Sequence, residues 1–536
     1  MDKNKDKDYE DLIDKSISFS KKNDLDSAKL FLEKAINLNP KKSISYINLS
    51  NIYILENNLK LSTKTLYDYL KKYSLDLEVI NHYGKICIKF NLIDQLIEFK
   101  KFLLKKNNIL KNYYYIYFLF GIAHEKKEEI SEALNSYEMS LNCNENFIEN
   151  YLNLCNLYEK TNKIKELDET IKKAKSNCIQ DPRIDYFLSL FYYRKKNYSL
   201  SQSTIDENNL EKKLLNQDYY FSSLLDLRFR NFEKLKNFKK AFEAINQKNV
   251  FVSNLNENKK YDKKNFHSMI EAYKKFYINK EIDYSYTNNH PDIVFIIGFP
   301  RSGTTLLDTI LRTHSKTLVL EEKPYLLNLR HEYFRNKNNK LESIDEMTVD
   351  EIKIIQKKYF DNIDYNNNKI IIDKFPLTII EVGFLKKIFP KSKIILSMRH
   401  PCDSVLSCFF SNFKINDAMI NFLNLNDSVV FYNNIFELFD IYTKSLNLDF
   451  LTVKYEDLVG SFEKTLKKVL TFLNLNYEDN LNRFYETAIN RNIINTPSYN
   501  QVTEPLYNSS INRWKNYEDA KFLQKDLKKW IEKQGY

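Results

Sequence analysis

Residues 296–311 read IIGFPRSGTTLLDTIL. The chain has only seven glycines in 536 residues, and two of them, Gly298 and Gly303, bracket the turn in this stretch. An apolar run, DIVFII (292–297), leads into the turn, and an amphipathic pattern leads out of it. A strand that turns tightly into a helix leaves backbone N–H groups unpaired at the positive helix end. That arrangement suits an anion such as phosphate. The stretch is therefore read as strand, anion-binding loop and helix.

Outward from this unit, short apolar runs alternate with helical stretches. TLVL (317–320), IIID (370–373), KIILS (393–397) and FLTVK (450–454) complete a set of five candidate strands with DIVFII. Strands separated by helices predict a parallel α/β sheet covered on both faces. Ligands of such sheets sit at the carboxyl ends of the strands, where the loop after DIVFII lies.

Upstream the punctuation differs. Eight of the ten prolines lie at or beyond Pro291, which marks a boundary near residue 290. Before it, Ser16, Ser50, Gly84, Gly121, Cys155 and Ser189 recur at spacings of 34, 34, 37, 34 and 34. Three residues after them stand Phe19, Tyr53, Cys87, His124, Tyr158 and Tyr192, and twelve after the first five stand Ala28, Ser62, Leu96, Ala133 and Leu167. A small residue lets paired helices approach, and the later residue packs on the next unit. The period and pattern resemble the tetratricopeptide repeat, in about six copies with a degenerate seventh at 229–249. The domains expected are a solenoid over 9–250, a helical linker over 251–285 and an α/β domain over 286–536. The solenoid carries no catalytic constellation, and its groove is expected to recruit a protein or peptide.

Composition bounds the function. A length of 536 residues exceeds one core, and 43% apolar content fits folded domains. No run of about eighteen uncharged apolar residues predicts a membrane span. The charged start MDKNKDKDYEDL lacks the apolar segment of a signal peptide, so the expected location is cytoplasmic. The net charge of +11 is spread along helices as a solvated surface with a mild preference for anionic ligands. The 38 tyrosines and 37 phenylalanines follow a general Lys/Asn/Ile/Tyr/Phe bias, so no nucleic-acid partner is expected. The six cysteines form no C-x-x-C pair and no metal-ligand spacing, so reduced thiols and no metal are expected.

GFPRSGTT is similar to a P-loop but lacks its Gly-Lys-Ser/Thr ending. The lysine for a γ-phosphate and the Mg-binding hydroxyl setting are therefore missing, which argues against a P-loop kinase. Other strand ends add Arg399 and Ser407 in SMRHPCDSVLSCFF, and Tyr455 in YEDL. Together with RSGTT these motifs resemble the sulfotransferase superfamily, whose donor is 3′-phosphoadenosine 5′-phosphosulfate. The catalytic half resembles tyrosylprotein sulfotransferases, and the whole resembles tetratricopeptide-repeat sulfotransferases.

The resemblance implies roles. Arg301, Ser302, Gly303, Thr304 and Thr305 match the loop that binds the 5′-phosphosulfate. Arg399 and Ser407 match the pair that binds the 3′-phosphate, and Tyr455 matches a nucleotide-contacting tyrosine. Glu322, the second of a Glu-Glu pair, matches the base, with its neighbour Glu321 as the rival, and Lys374 matches the lysine that stabilises the transition state. Ser498 matches a catalytic serine of a closing nucleotide-binding segment that ends at Arg513. Small-molecule sulfotransferases use a histidine two residues after the lysine; here that position is Pro376, which favours Glu322 as base. His314, His400, Cys402 and Cys408 are read as structural.

Two departures concern the acceptor. Pro324 and Asn328 stand where the tyrosylprotein enzymes carry arginines that read acidic peptides, and Glu504 stands where a basic residue is usual. The expected activity is sulfuryl transfer to a hydroxyl, a protein tyrosine, with a carbohydrate or small-molecule hydroxyl as the alternative. A non-catalytic repeat scaffold is the remaining rival, opposed by Glu322, Lys374 and Ser498.

Overall fold

The first helical hairpin, Asp2–Lys21 with Leu25–Leu38, sets a pattern that recurs five more times among the described residues, down to Pro182–Arg194 with Tyr198–Glu207. The computed structural model describes residues 2–73, 75–106, 113–177, 180–280, 291–363, 365, 368–489 and 510–536. Each hairpin turns on one residue of left-handed backbone: Asn23, Asn57, Asn91, Glu128, Asn162 and Lys196, with φ between 57° and 63°. These positions repeat at the same spacings as the small residues, seven places after each. Asn tolerates this conformation better than most side chains, which explains its recurrence at the turns. Asp24, Asn58 and Asn197 then cap the second helices by accepting N–H groups of Ser27, Leu61 and Leu200.

The small positions are where the two helices of a hairpin come closest. Ser50 Oγ lies 2.7 Å from Ser62 Oγ, and Ser189 Oγ lies 3.0 Å from Ser201 Oγ. A Cβ on Gly121 would sit 2.3 Å from Tyr137 Cε1, so any larger residue would force the hairpin apart. Six tetratricopeptide-like hairpins thus form the first of two units, Met1–Leu214.

The second unit, Leu215–Tyr536, opens with a hairpin that keeps the repeat's turn but not its core. Asp218–Lys234 and Phe238–Asn254 are joined through Lys236 at φ 58°, and Ala241 holds the position twelve after Phe229. Phe229 replaces the small residue. Its ring lies 4.7 Å from that of Phe410, and Phe242 lies 5.6 Å from Phe409. Asn249 Nδ2 also donates to the Phe409 carbonyl at 2.9 Å. These helices share one core with the sheet, so the division falls at Leu214/Leu215, ahead of the boundary at 250 drawn from the repeat pattern.

Five strands make the sheet: β1 (Ile293–Gly298), β2 (Thr317–Glu321), β3 (Ile370–Lys374), β4 (Lys393–Met398) and β5 (Phe450–Lys454). All pair in parallel, in the order β2-β3-β1-β4-β5. Phe295, Ile297, Ile371 and Leu396 enter the core on one face; Val294, Ile296, Ile372 and Ile395 enter a second core on the other, with Leu307, Ile310 and Leu311. Burial on both faces is why the strands read as unbroken apolar runs. The expected fold class, a helical repeat region followed by a parallel α/β domain, is the one observed.

The register decides the site. Glu321 is level with Lys374, Ile296 with Lys374, Gly298 with Ser397 and Met398 with Lys454. The next residues along, Glu322, Arg399, Tyr455 and the loop after Gly298, therefore share one edge of the sheet, at the point where the strand order reverses. No helix among the described residues is long and apolar enough to cross a membrane.

Candidate active site

The loop after β1 is held open by its glycines. Gly303 has φ +97° and begins the helix Thr304–Arg312 as its N-cap; a Cβ there would meet Tyr455 Cδ2 at 2.8 Å. A Cβ on Gly298 would meet the Ser397 carbonyl oxygen at 2.4 Å. Between them Arg301 takes φ +68° despite its side chain. Such backbone costs about 1–3 kcal/mol and persists only where surrounding contacts dictate it. The result presents the first N–H groups of Thr304–Arg312 to one spot, with Thr304 and Thr305 buried in its first turn.

Among the described residues, two buried donors near this loop lack a hydrogen-bond partner, Ser302 Oγ and Arg399 Nε. Arg399 is only 7% exposed. Its Nη1 donates to the Arg301 carbonyl at 3.2 Å and its Nη2 to the Ser510 carbonyl at 2.5 Å, while its guanidinium lies 5.2 Å from the Tyr455 ring centroid. Arg301 Nε donates to Ser407 Oγ at 3.2 Å, joining the loop to the helix Pro401–Phe409. Loop, Arg399, Ser407 and Tyr455 thus form one cationic cluster with an unmet buried N–H, which fits a polyanionic nucleotide. Burial raises the Tyr455 phenol above its ordinary range, so it stays a neutral packing and hydrogen-bonding group.

Arg513 is engaged elsewhere. Its Nε donates to Glu233 Oε1 at 2.6 Å, and its guanidinium stacks 4.9 Å from the Phe410 ring. Tyr517 Oη donates to the same Glu233 oxygen at 2.8 Å. Ser498 and Glu504 lie outside the described residues.

At the ends of β2 and β3 the residues expected to act as base and as charge-stabilising lysine meet. Lys374 Nζ, with a fully buried side chain, donates to Glu322 Oε1 at 2.8 Å. Glu321 Oε1 is 3.7 Å and Asp308 Oδ2 is 3.6 Å from the same nitrogen. The Glu322 side chain is 38% exposed, against 9% for Glu321, so Glu322 is the carboxylate an acceptor could reach. Glu322 takes φ +49°, and its N–H donates to the Lys374 carbonyl at 2.8 Å. That hydrogen bond is the last of the β2–β3 ladder, and the left-handed turn at Glu322 then takes the chain out of the strand with this side chain exposed.

Asp308 and Asp403 were not legible as site residues in the sequence. Asp308 sits in TTLLDTIL among residues that are all buried; an acid inside so apolar a helix was the only available signal. Asp403, at the start of Pro401–Phe409, accepts the N–H groups of Asn512 (2.8 Å) and Trp514 (2.9 Å) and so anchors the returning segment to the helix that carries Ser407. Trp514 in turn stacks on His400, with ring centroids 5.7 Å apart. His314 is structural: its Nε2 donates to the Asn476 carbonyl at 2.9 Å and its Nδ1 accepts the Lys316 N–H at 3.0 Å. Cys402 and Cys408 are buried packing residues; burial pushes the Cys402 thiol up to about 12 and the Cys408 thiol higher still. Among the described residues no cluster of His, Cys, Asp and Glu could hold a metal ion.

Residues 291–479 match a family model described as the Sulfotransferase family, so the C-terminal half carries a domain of that family. An uncharacterized protein of Aquifex aeolicus is 27% identical over 321 residues, covering 55% of this chain and 40% of its own length. Protein-tyrosine sulfotransferase 1 of Danio rerio is 29% identical over 210 residues, covering 38% of this chain and 58% of its own. The chain thus spans less than two thirds of the length of either relative. Among solved structures, the sulfotransferase domain of the Synechococcus PCC 7002 olefin synthase is 20% identical with a TM-score of 0.34, over 48% of this chain and 98% of that one. A tetratricopeptide repeat protein from Parabacteroides merdae is 16% identical with a TM-score of 0.33, over 47% and 96%.

Proposed function

We propose that this protein is a sulfotransferase that moves the sulfuryl group of 3′-phosphoadenosine 5′-phosphosulfate to a hydroxyl of a protein acceptor, a tyrosine phenol. The observation that carries the reading is the Lys374–Glu322 pair beside an anion-binding loop. The donor supplies an activated sulfuryl group on its 5′-phosphate. Arg301, Ser302, Gly303, Thr304 and Thr305 hold that end, and Arg399 with Ser407 holds the 3′-phosphate. The unpartnered Arg399 Nε and Ser302 Oγ support this assignment. Tyr455 packs beneath, and Ser498 and Arg513 close the nucleotide side; for Arg513 this requires giving up part of its pairing with Glu233.

Glu322 takes the proton of the acceptor hydroxyl as the new O–S bond forms. The S–O bond to the 5′-phosphate breaks, and that phosphate leaves with the electron pair as adenosine 3′,5′-bisphosphate. A positioned carboxylate is worth ~10²–10⁴-fold as a general base. Lys374 and Arg301 stabilise the charge on the leaving oxygen, which is commonly the larger contribution. In this structure Lys374 donates to Glu322, so turnover needs Lys374 to exchange that partner for the leaving oxygen.

A carbohydrate or small-molecule hydroxyl is the second reading of the acceptor. It is favoured by Pro324 and Asn328, which stand just after Glu322 at the positions where the tyrosylprotein enzymes carry arginines that read acidic peptides. The test is transfer of labelled sulfate from the donor to a panel of tyrosine peptides, simple phenols and oligosaccharides. Transfer to none of them would remove the enzymatic reading, and transfer to sugars alone would replace tyrosine as the acceptor.

A further inference from the structure

We infer that Asp308 is a positioning residue for Lys374, keeping its ammonium paired and in place when Glu322 takes up the acceptor proton; the inference rests on the reading just given. Asp308 follows Gly303 by five residues on the helix that starts at the anion-binding loop, and its side chain is 0% exposed. A carboxylate so enclosed needs cations around it, since an unpaired buried charge is strongly destabilising. Two cations face it. Arg312 Nε (3.2 Å) and Nη2 (3.0 Å) both address Oδ1, and Lys374 Nζ stands 3.6 Å from Oδ2.

The division of labour between the two oxygens is informative. Arg312 commonly pairs with a carboxylate through both oxygens, yet here its two N–H groups share Oδ1 while a third reaches the Val319 carbonyl at 2.9 Å. Among the described residues Oδ2 has no hydrogen bond, and it faces Lys374. The other groups around that nitrogen are Glu322 at 2.8 Å and Glu321 at 3.7 Å. Glu322 is the exposed member, and Asp308 is sealed from any acceptor.

The chemistry follows from this arrangement. When the acceptor O–H gives its proton to Glu322, that carboxylate becomes neutral and ceases to be an ionic partner for Lys374. Lys374 keeps its own three N–H bonds; no bond forms or breaks at Asp308. A movement of less than about 1 Å brings Nζ within hydrogen-bond range of Oδ2. The ammonium therefore stays paired, buried and aimed at the leaving oxygen through the step in which Glu322 is consumed.

The test uses the full chain. Asp308→Asn is expected to lower kcat ~10–100-fold while the donor KM and the affinity for adenosine 3′,5′-bisphosphate change less than twofold. Asp308→Glu should fall between the two, and Arg312→Gln should lower the melting temperature yet keep kcat within threefold. A parent-level kcat in Asp308→Asn, or an equal kcat loss in Arg312→Gln, overturns the inference. If Asp308→Asn binds no nucleotide because it fails to fold, Asp308→Glu decides: nucleotide binding with reduced kcat supports the role and a parent kcat overturns it. A second measurement is independent of turnover. The melting-temperature losses of Asp308→Asn and Lys374→Met should be less than additive in the double variant. Strict additivity overturns the pairing, whereas coupling in a chain that transfers no sulfuryl group overturns only the proposed function.

Discussion

Lys374 and Glu322 are joined twice: the lysine ammonium donates to Glu322 Oε1 at 2.8 Å, and the glutamate's backbone N–H donates to the Lys374 carbonyl at 2.8 Å. The backbone link does not depend on protonation, so it keeps the pair in register when the side-chain link is released. It also distinguishes the two neighbouring glutamates, because Glu321 still belongs to β2 and Glu322 has already turned away from it.

Glu322→Gln preserves shape and removes the proton acceptor. Turnover of an ordinary hydroxyl should fall ~10²–10⁴-fold with nucleotide binding intact. Glu321→Gln should be much milder. A phenol acidic enough to be ionised already should restore rate to Glu322→Gln but not to Lys374→Ala. Steady-state kinetics on the three variants with two phenols of different acidity checks this, and parent-level turnover by Glu322→Gln would place the base elsewhere.

If Arg399 and Ser407 hold a 3′-phosphate, adenosine 3′,5′-bisphosphate at a hundredfold excess over its Kd should stabilise the fold by ~2.7 kcal/mol. ATP at the same concentration should do far less, and Arg399→Ala should erase the difference. Thermal shifts with the two nucleotides provide the measurement; equal shifts would remove the 3′-phosphate assignment.

Asp373 gives a pH signature of its own. It is buried on the face of β3 opposite Lys374's cluster, and burial pushes its carboxyl up to about 7, against the opposing effect of the Tyr359 hydroxyl that donates to it at 2.5 Å. Unfolded, an aspartate titrates near ~3.9. The folded state therefore holds a proton that the unfolded chain has lost between these values. This stabilising contribution is complete below about pH 4 and is lost as pH rises through 7. Asp373→Asn should match the parent at pH 4 and exceed it at pH 8 by ~2–4 kcal/mol. Urea unfolding at the two pH values reads the difference, and a gap of the same size at both would show that the carboxyl is ionised throughout.

The helices Asp218–Lys234 and Phe238–Asn254 set where the chain can be shortened. Phe229, Phe232 and Ile245 lie in the core they share with the sheet. At roughly 1.5–3 kcal/mol for each large side chain, their loss approaches the whole stability of an ordinary domain, about 5–15 kcal/mol. Residues 215–536 should fold and bind adenosine 3′,5′-bisphosphate. Residues 255–536 should expose apolar surface to a hydrophobic dye and bind weakly or not at all. Equal nucleotide binding by both fragments would show that the hairpin is dispensable.

Much of this architecture was legible from local pattern. A thirty-four-residue period fixes helix pairing because the small residue and the left-handed turn recur in every copy, and unbroken apolar runs identify strands buried on both faces. The hairpin at 218–254 was harder to assign, because its turn and Ala241 follow the repeat while only Phe229 betrays that it packs elsewhere. Asp308 was hidden for a different reason. It becomes significant only through the β1–β3 pairing that sets Ile296 level with Lys374, and no spacing within the helix encodes that long-range register. Arg513 was visible as a cation near a tryptophan, but its partner Glu233 is nearly three hundred residues away in sequence.

The stacking of Trp514 on His400 has an optical consequence. The chain has two tryptophans, Trp514 and Trp530, and both belong to the unit that carries the sheet, whereas its 38 tyrosines are spread along the whole sequence. Excitation at the red edge of the indole band therefore reports on that unit alone, without labelling. Trp514 rests against the imidazole next to Arg399, and its backbone is tied to the helix carrying Ser407. Its emission is a built-in gauge of what happens around Arg399, readable in the intact protein while the solenoid stays dark.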